Sequence, residues 1–381
     1  MTLTLDMGLQ SFTNARLASQ ESATAVVLGI PDGDVLALAS HPAYDPVPFG
    51  RGLTGQEWQE LLHHPYGALN NKTIAGQYPP GSTFKPVVAL AALESGMSPS
   101  QRFSCPGHFE LGDAKFFCYS FKTGGHGSLE MVDAIARSCD CYFYNTALKI
   151  GMDRISAMAR RLGLGAPTEL DIPGERPGLV PSREWKKAAT GESWQNGETV
   201  NLGIGQGYIL TTPLQLAVMA GRVATGLHIK PRLTRAIGGV PVEVDPPAPL
   251  GISPQNLAVV QRGMDQVVNG PGGTARGAAI RQAGFEMAGK SGTAQVKRIT
   301  QRDRDMKNTD SKKWEWRFRD HALFISYAPV AVPRYVCAVV VEHGVGGSAV
   351  AAPICRDILL EAQKRDIMGK GGVKMAAAER L

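Results

Sequence analysis

The sequence predicts one mixed α+β domain over residues 1–365, with a short disordered tail over 366–381. Three observations carry this. Strand-like runs lie at both ends of the chain with helical patterns between them, so the two ends meet in a shared sheet. Near the N-terminus, Thr24–Ile30 (TAVVLGI) and Val35–Ser40 (VLALAS) flank Pro-Asp-Gly-Asp, the signature of a β-hairpin. A chain of 381 residues with 43% apolar and 19% charged side chains is long enough for a large core and too apolar to be disordered.

Net charge is +6 with both signs interspersed, which gives no footprint for a nucleic-acid partner, and none is expected. No apolar run reaches the roughly 18–20 residues of a membrane helix. Met1–Arg16 has neither the basic start nor the apolar stretch of a signal peptide, so the chain as given reads as soluble.

The elements follow in order. Leu5–Ser19 has a broken helical pattern. His41–Gly50, with three prolines, reads as loop. Ser82–Ser95 reads as a helix closed by Gly96, with Pro99 beyond it. Ser104–Ser128 is rich in Gly, Cys and aromatics and has little periodicity. Helices are expected over Leu129–Arg137 and Ser138–Ile150, and loops over Gly163–Gly178 and Thr190–Gly197. Thr212–Ala224 has Pro at its first turn, and Asn256–Val268 is another helix. Strands are expected within Phe285–Val296, His321–Tyr327 and Tyr335–Glu342, and a final helix over Pro353–Lys364. Thr300–Asp320, charged and carrying Trp314, Trp316 and Phe318, is either a solvated connection or a functional loop.

Three short motifs carry chemistry. In Tyr78-Pro-Pro-Gly-Ser82-Thr-Phe-Lys85, Ser82 and Lys85 stand one turn apart on a nascent helix. A neutral lysine can take the serine proton, and free N–H groups at the helix start suit an oxyanion. The plainer reading is an N-cap serine and a solvated lysine. Ser138-Cys139-Asp140 precedes an aromatic helical run and reads equally as an N-cap. Lys290-Ser291-Gly292-Thr293 lies inside a strand, where glycine marks a close backbone approach. Lys122-Thr123-Gly124 is a competing copy, disfavoured by its loop context and its place before Ser138. Gly203-x-Gly205-x-Gly207 lacks the dinucleotide-binding spacing. His63 and His64 read as a surface helix end.

In this order the three motifs resemble those of penicillin-binding proteins and serine β-lactamases. The resemblance is closest to the transpeptidase domain of class B penicillin-binding proteins, in the cell-elongation group of penicillin-binding protein 2. It runs from about Leu5 to about Ala362. Ser40-His-Pro-Ala-Tyr-Asp-Pro46, Asn70–Pro80 and Gly203–Ala217 support it. Asp140 stands where most of the superfamily has Asn, which narrows the match to that group, and Ser291 replaces Thr while keeping the hydroxyl.

The resemblance implies a penicillin-binding protein/serine β-lactamase-like fold: an antiparallel sheet flanked by helices plus a mostly helical subdomain. It implies a serine D,D-transpeptidase acting on peptidoglycan stem peptides ending in D-Ala-D-Ala, acylated by β-lactams, with no cofactor needed for catalysis. Ser82 is the expected nucleophile and Lys85 the base. Ser138 relays a proton, Asp140 shapes its side of the cleft, and Lys290 adds positive charge that lowers the Lys85 pKa. Ser291, Gly292 and Thr293 form the substrate-binding strand, and backbone N–H groups of Ser82 and Thr293 the oxyanion hole. A membrane-embedded glycan polymerase is the expected partner, at the periplasmic face of the bacterial inner membrane. The family's membrane helix and pedestal domain are missing from this chain. The alternatives are a serine β-lactamase using Glu169 or Glu175, and a β-lactam-binding sensor or scaffold without turnover.

Four of the six cysteines fall between residues 105 and 141. Cys105, Cys118, His126 and Cys139 form a candidate structural zinc set, with Cys141 and His108 as substitutes. A Cys105–Cys118 disulfide and plain buried thiols are the rival readings. Cys337 and Cys355 read as core residues.

Overall fold

The computed structural model describes residues 1–297, 299, 303, 306 and 308–369. A five-stranded antiparallel sheet forms its centre. Its strands are β1 (Ala23–Gly29), β2 (Asp34–His41), β3 (Ala288–Ala294), β4 (His321–Ala328) and β5 (Tyr335–Val341). Their spatial order is β3-β4-β5-β1-β2, so the two ends of the chain pair through β5 and β1, with Val339 opposite Ala25. The β1–β2 hairpin forms over the Asp-Gly turn, with Gly33 at φ +78.

Val, Ile, Leu and Ala fill these strands, and β1 and β5 are buried at every residue. Burial on both faces requires a cover on each side. Helices α1 (Met7–Leu17) and α7 (Ala352–Arg365) pack on one face and α5 (Pro213–Thr225) on the other. Asp6 starts α1 by accepting from the Leu9 N–H at 2.7 Å, and Thr212 caps α5 ahead of Pro213.

The helical part gathers around α2 (Lys85–Glu94), whose sequence KPVVALAALE is buried from Lys85 through Leu93. Around it stand α3 (Met131–Ala136), α4 (Asp140–Ile150) and α6 (Pro254–Asn269). Helix α6 also packs on β3, which ties the helical part to the sheet edge.

Several elements differ from the sequence reading. The segment expected as one helix from Ser82 begins as a 3-10 turn, Gly81–Phe84, before α2. The loop expected over His41–Gly50 runs into a short helix, Val47–Arg51. Ser104–Ser128 forms two small antiparallel pairs, Phe103–Cys105 with Gly127–Leu129 and His108–Leu111 with Ala114–Phe117. Helix Gly55–Leu62 ends at its C-cap His63, as the reading of His63 and His64 as a surface helix end expects. Helices Met152–Arg161, Arg183–Thr190 and Asn196–Leu202 were not anticipated; the last cuts into the loop expected to end at Gly197. Ser138 precedes α4 instead of beginning it. Residues 366–369, expected in the disordered tail, fold back: the Met368 N–H donates to Tyr335 Oη at 3.1 Å and Asp366 pairs with Arg334. Residues 370–381, and 300–302, 304, 305 and 307 of the charged linker, lie outside the described residues.

Candidate active site

Main-chain contacts fix the segment before Ser82. Tyr78 and Thr211 exchange N–H···O bonds of 2.9 Å, and the Gly81 N–H donates to the Gly205 carbonyl at 2.9 Å. Gly81 has φ +52, and a Cβ there would lie 2.5 Å from the Thr293 carbonyl oxygen. Only glycine suits both demands. Ser82 is therefore half-buried at the mouth of the buried helix α2, one turn ahead of Lys85.

Lys85 is fully buried. Its Nζ donates to the Ser138 carbonyl at 2.7 Å, to Ser138 Oγ at 3.2 Å and to Asp140 Oδ1 at 2.7 Å. The Phe143 ring centroid is 5.5 Å away. The pair of N–H bonds that closes α3 explains how Ser138 reaches this position. Ser138 N–H donates to Ile135 and Cys139 N–H to Ala134, at 3.1 and 2.9 Å, with Ser138 at φ +52. That is a helix-ending turn that glycine normally occupies. Here a serine holds it, at a cost of about 1–3 kcal/mol in backbone strain.

Asp140 opens α4 with its side chain 14% exposed. Its Oδ2 accepts from the Tyr119 N–H at 3.2 Å. Burial pushes its carboxyl above the ordinary range, and the Lys85 charge opposes that.

On the sheet side, Lys290 is also fully buried. Its Nζ donates to Ser138 Oγ at 2.8 Å and to the Ser291 carbonyl at 3.0 Å. Burial first, and the neighbouring Lys85 second, push Lys290 well below the usual lysine value. Ser291 Oγ lies 3.0 Å from Thr274 Oγ1. At Gly292 a Cβ would meet Thr83 Cγ2 at 2.8 Å and the Pro80 carbonyl oxygen at 2.9 Å, so β3 lies directly against the Ser82 turn. Thr293 is exposed at the strand edge, and its carbonyl accepts from Gln206 Nε2 at 3.3 Å.

Ser82, Lys85, Ser138, Asp140, Lys290, Ser291, Gly292 and Thr293 thus come together from three separate parts of the chain. Lys122 does not join them; it is exposed, with its Nζ 5.9 Å from the Phe121 ring centroid. Glu169 pairs with Lys230 at the surface, and Glu175 accepts from the Thr168 N–H. The sequence reading missed Tyr119, Phe143, Gly205, Gln206 and Thr274. Gln206 lies in the Gly203–Ala217 stretch and was within reach. Tyr119 and Thr274 carry no local signal.

The Cys/His cluster adjoins this site. The ligand atoms of Cys105, Cys118, His126 and Cys139 lie within 4.8 Å of one another, and all six cysteines are free. His126 Nδ1 is 3.6 Å from Cys105 Sγ and 3.5 Å from Cys118 Sγ. Hydrogen bonds from Cys139 and Cys141 draw the Cys118 thiol far down, and Cys118 in turn raises His126. His108 faces Glu110 at the surface instead. Tyr119 bridges to the catalytic side: its Oη lies 3.2 Å from His126 Nε2 and donates to the Arg137 carbonyl at 2.7 Å.

Comparison with known proteins gives a consistent family. The penicillin-binding protein transpeptidase domain profile matches residues 23–360. The peptidoglycan D,D-transpeptidase MrdA of Haemophilus influenzae is 37% identical over 369 residues, 94% of this chain and 55% of the relative. That of Escherichia coli K12 is 34% identical over 364 residues, 94% and 56% respectively. The chain spans about half the length of these curated relatives. The crystal structure of Pseudomonas aeruginosa PBP2 in complex with WCK 5153 has a TM-score of 0.83 at 40% identity, covering 99% of this chain and 81% of that one. PBP2 of Helicobacter pylori in complex with MreC gives 0.84 at 31%, covering 96% and 64%.

Proposed function

The chain belongs to the penicillin-binding protein transpeptidase family, and from that premise we propose that it is a serine D,D-transpeptidase domain of the cell-elongation group. The observation that carries the reading is the meeting of Lys85 and Lys290 on Ser138 Oγ, beside a serine at the mouth of a buried helix.

In this reading Lys85 acts as the neutral amine, giving up one of its three donor contacts: Ser82 Oγ attacks the carbonyl carbon of the penultimate D-alanine of a peptidoglycan stem, and its proton passes to Lys85 Nζ. The backbone N–H groups of Ser82 and Thr293 receive the oxyanion. The proton taken up by Lys85 passes to Ser138 Oγ as Ser138 gives its own to the departing D-alanine amine, which breaks the peptide bond and leaves an acyl-enzyme. The amine of a second stem then attacks the acyl carbon, its proton passing through Ser138 and Lys85 to Ser82 Oγ, and releases Ser82 with the cross-link made. Asp140 orients Lys85. Lys290, with Ser291 and Thr293, holds the terminal carboxylate of the substrate. A β-lactam enters the same path at Ser82, and no acceptor amine displaces it. The domain works at the outer face of the inner membrane beside a membrane-embedded glycan polymerase; the likeness, at 31% identity, to a peptidoglycan synthase complex that coordinates polymerization and crosslinking supports an assembly of this kind. Among the described residues no helix is long and apolar enough to cross a membrane.

The Cys/His set fits a structural zinc ion. Tetrahedral zinc with ordinary Zn–S and Zn–N bonds separates sulfur from nitrogen by about 3.6 Å, and the two measured S···N distances are 3.6 and 3.5 Å. Cys105, Cys118, His126 and Cys139 would hold the ion, which supplies cross-linking of a segment with little core of its own. Tyr119 then orients His126 from behind.

Intact mass after exposure to penicillin tests the function. One long-lived adduct on Ser82, absent in Ser82→Ala, is expected. Rapid release of hydrolysed drug would make the protein a β-lactamase, and an adduct elsewhere would overturn the site.

A further inference from the structure

A cavity opens beside the proposed site. It lies between Pro181, Trp194, the helix Asn196–Leu202 and the turn Gln206–Tyr208, with a volume of about 230 Å³. Trp194, Tyr208, Glu198, Asn201 and Gln206 line it. The same loop touches the catalytic elements twice, through Gln206 on Thr293 and through Gly205 on Gly81. A group seated here lies at the rim of the Ser82 cleft.

The walls define what fits. The Trp194 indole N–H is held by Thr199 Oγ1 at 2.8 Å, which fixes the ring. Its centroid is 6.3 Å from that of Tyr208, which also packs edge-on against Trp185 at 5.3 Å. The Glu198 carboxylate is taken up by buried Lys186 and by the Gln195 N–H. Its charge is cancelled, and Lys186 behind it repels a second ammonium. The Lys186 Nζ also donates to the Ser193 carbonyl, so it is not presented to an anion. Fixed aromatic rings, two carboxamides and no net charge suit a neutral, hydroxyl- and amide-bearing ring.

We propose that this cavity is a saccharide subsite that takes one N-acetylated sugar ring of the peptidoglycan strand against Trp194 and Tyr208. The proposal rests on the transpeptidase reading and adds glycan recognition to it. The stem's reactive end then lies in the Ser82 cleft while its own glycan is gripped at the rim.

Titration of the whole chain with a β-1,4-linked N-acetylglucosamine tetramer tests this, read by tryptophan fluorescence and by saturation transfer to the acetyl methyls. Saturable binding is expected. Trp194→Ala weakens it about tenfold or more, and so does Asn201→Ala, which guards against a loop that unfolds without the indole. Absence of saturable binding, affinity unchanged in both variants, or displacement of the sugar by a glycan-free stem pentapeptide overturns the subsite. Penicillin labelling of the same wild-type preparation separates the two readings. Acylation of Ser82 without sugar binding overturns the subsite alone, and absence of acylation overturns the transpeptidase reading.

Discussion

Lys85 and Lys290 share one acceptor: Ser138 Oγ lies 3.2 Å from Lys85 Nζ and 2.8 Å from Lys290 Nζ. With both lone pairs engaged, the hydroxyl hydrogen is left to point away from the two lysines, free to be donated elsewhere. Ser138→Ala should slow acylation of Ser82 by penicillin roughly a hundredfold with the fold intact. Stopped-flow acylation rates beside a thermal melt check this.

Lys290 should trade stability for activity. Its folded pKa is lowered, so between that value and the usual lysine range the unfolded chain binds more protons. The cost is present in full below the folded pKa and is relieved as pH rises through the window. Lys290→Met should leave neutral-pH stability unchanged or higher while acylation falls roughly a hundredfold. Lys122→Ala, at the surface, should alter neither.

His321 predicts an acid limit on stability. Burial holds it at about 4, below its ordinary 6.5, with His343 adding to the depression. Its Nδ1 accepts from the His343 N–H at 3.0 Å, which requires that nitrogen unprotonated. The stabilisation is complete above pH 6.5 and is lost as pH falls through 4, by at most about 3 kcal/mol. His321→Asn, whose Oδ1 can take over as acceptor, should flatten the decline of the urea midpoint between pH 7 and 4.5.

Gly292→Ala should damage catalysis through packing alone. The new methyl meets Thr83 Cγ2 and the Pro80 carbonyl, so β3 must move away from the Ser82 turn. A displacement of this kind costs about 1–3 kcal/mol in stability and should lower the acylation rate more than the melting temperature suggests. An acylation rate within twofold of wild type would disprove the close approach.

Protein purified without a polyhistidine tag should carry close to one equivalent of zinc. Chelation, or Cys118→Ser, should lower the melting temperature and slow acylation together, because Cys139 adjoins Ser138 and Asp140. Zinc below about a tenth of an equivalent, with four free thiols in the 105–141 segment, would sink the idea.

The sheet was legible because β1 and β5 are continuous apolar runs, and a strand buried on both faces leaves that trace in sequence. The motif serines and lysines were legible because their spacing is short. Tyr119 was not, since its value lies in contacts to Asp140, His126 and Arg137, which fold together from different stretches. Helices Met152–Arg161 and Arg183–Thr190 were missed because arginine and lysine, three of ten and three of eight residues, interrupt their apolar pattern. The left-handed turn at Ser138 was read as a helix start because a serine before an acidic residue is also what an N-cap shows.

The glycines at 81, 205, 292 and 347 bring main chain against main chain. A Cβ at Gly205 would meet the Gly81 carbonyl oxygen, and one at Gly347 the Gly292 carbonyl oxygen. Shape at the heart of the cleft is therefore written in backbone, where point mutation has little to exchange. On the proposed reading, drug fit cannot be adjusted at these glycines without moving the Ser82 turn itself. Side-chain exchange can act instead at the rim, at positions such as Thr293 and Gln206, which meet there through the Gln206 Nε2 to Thr293 carbonyl bond.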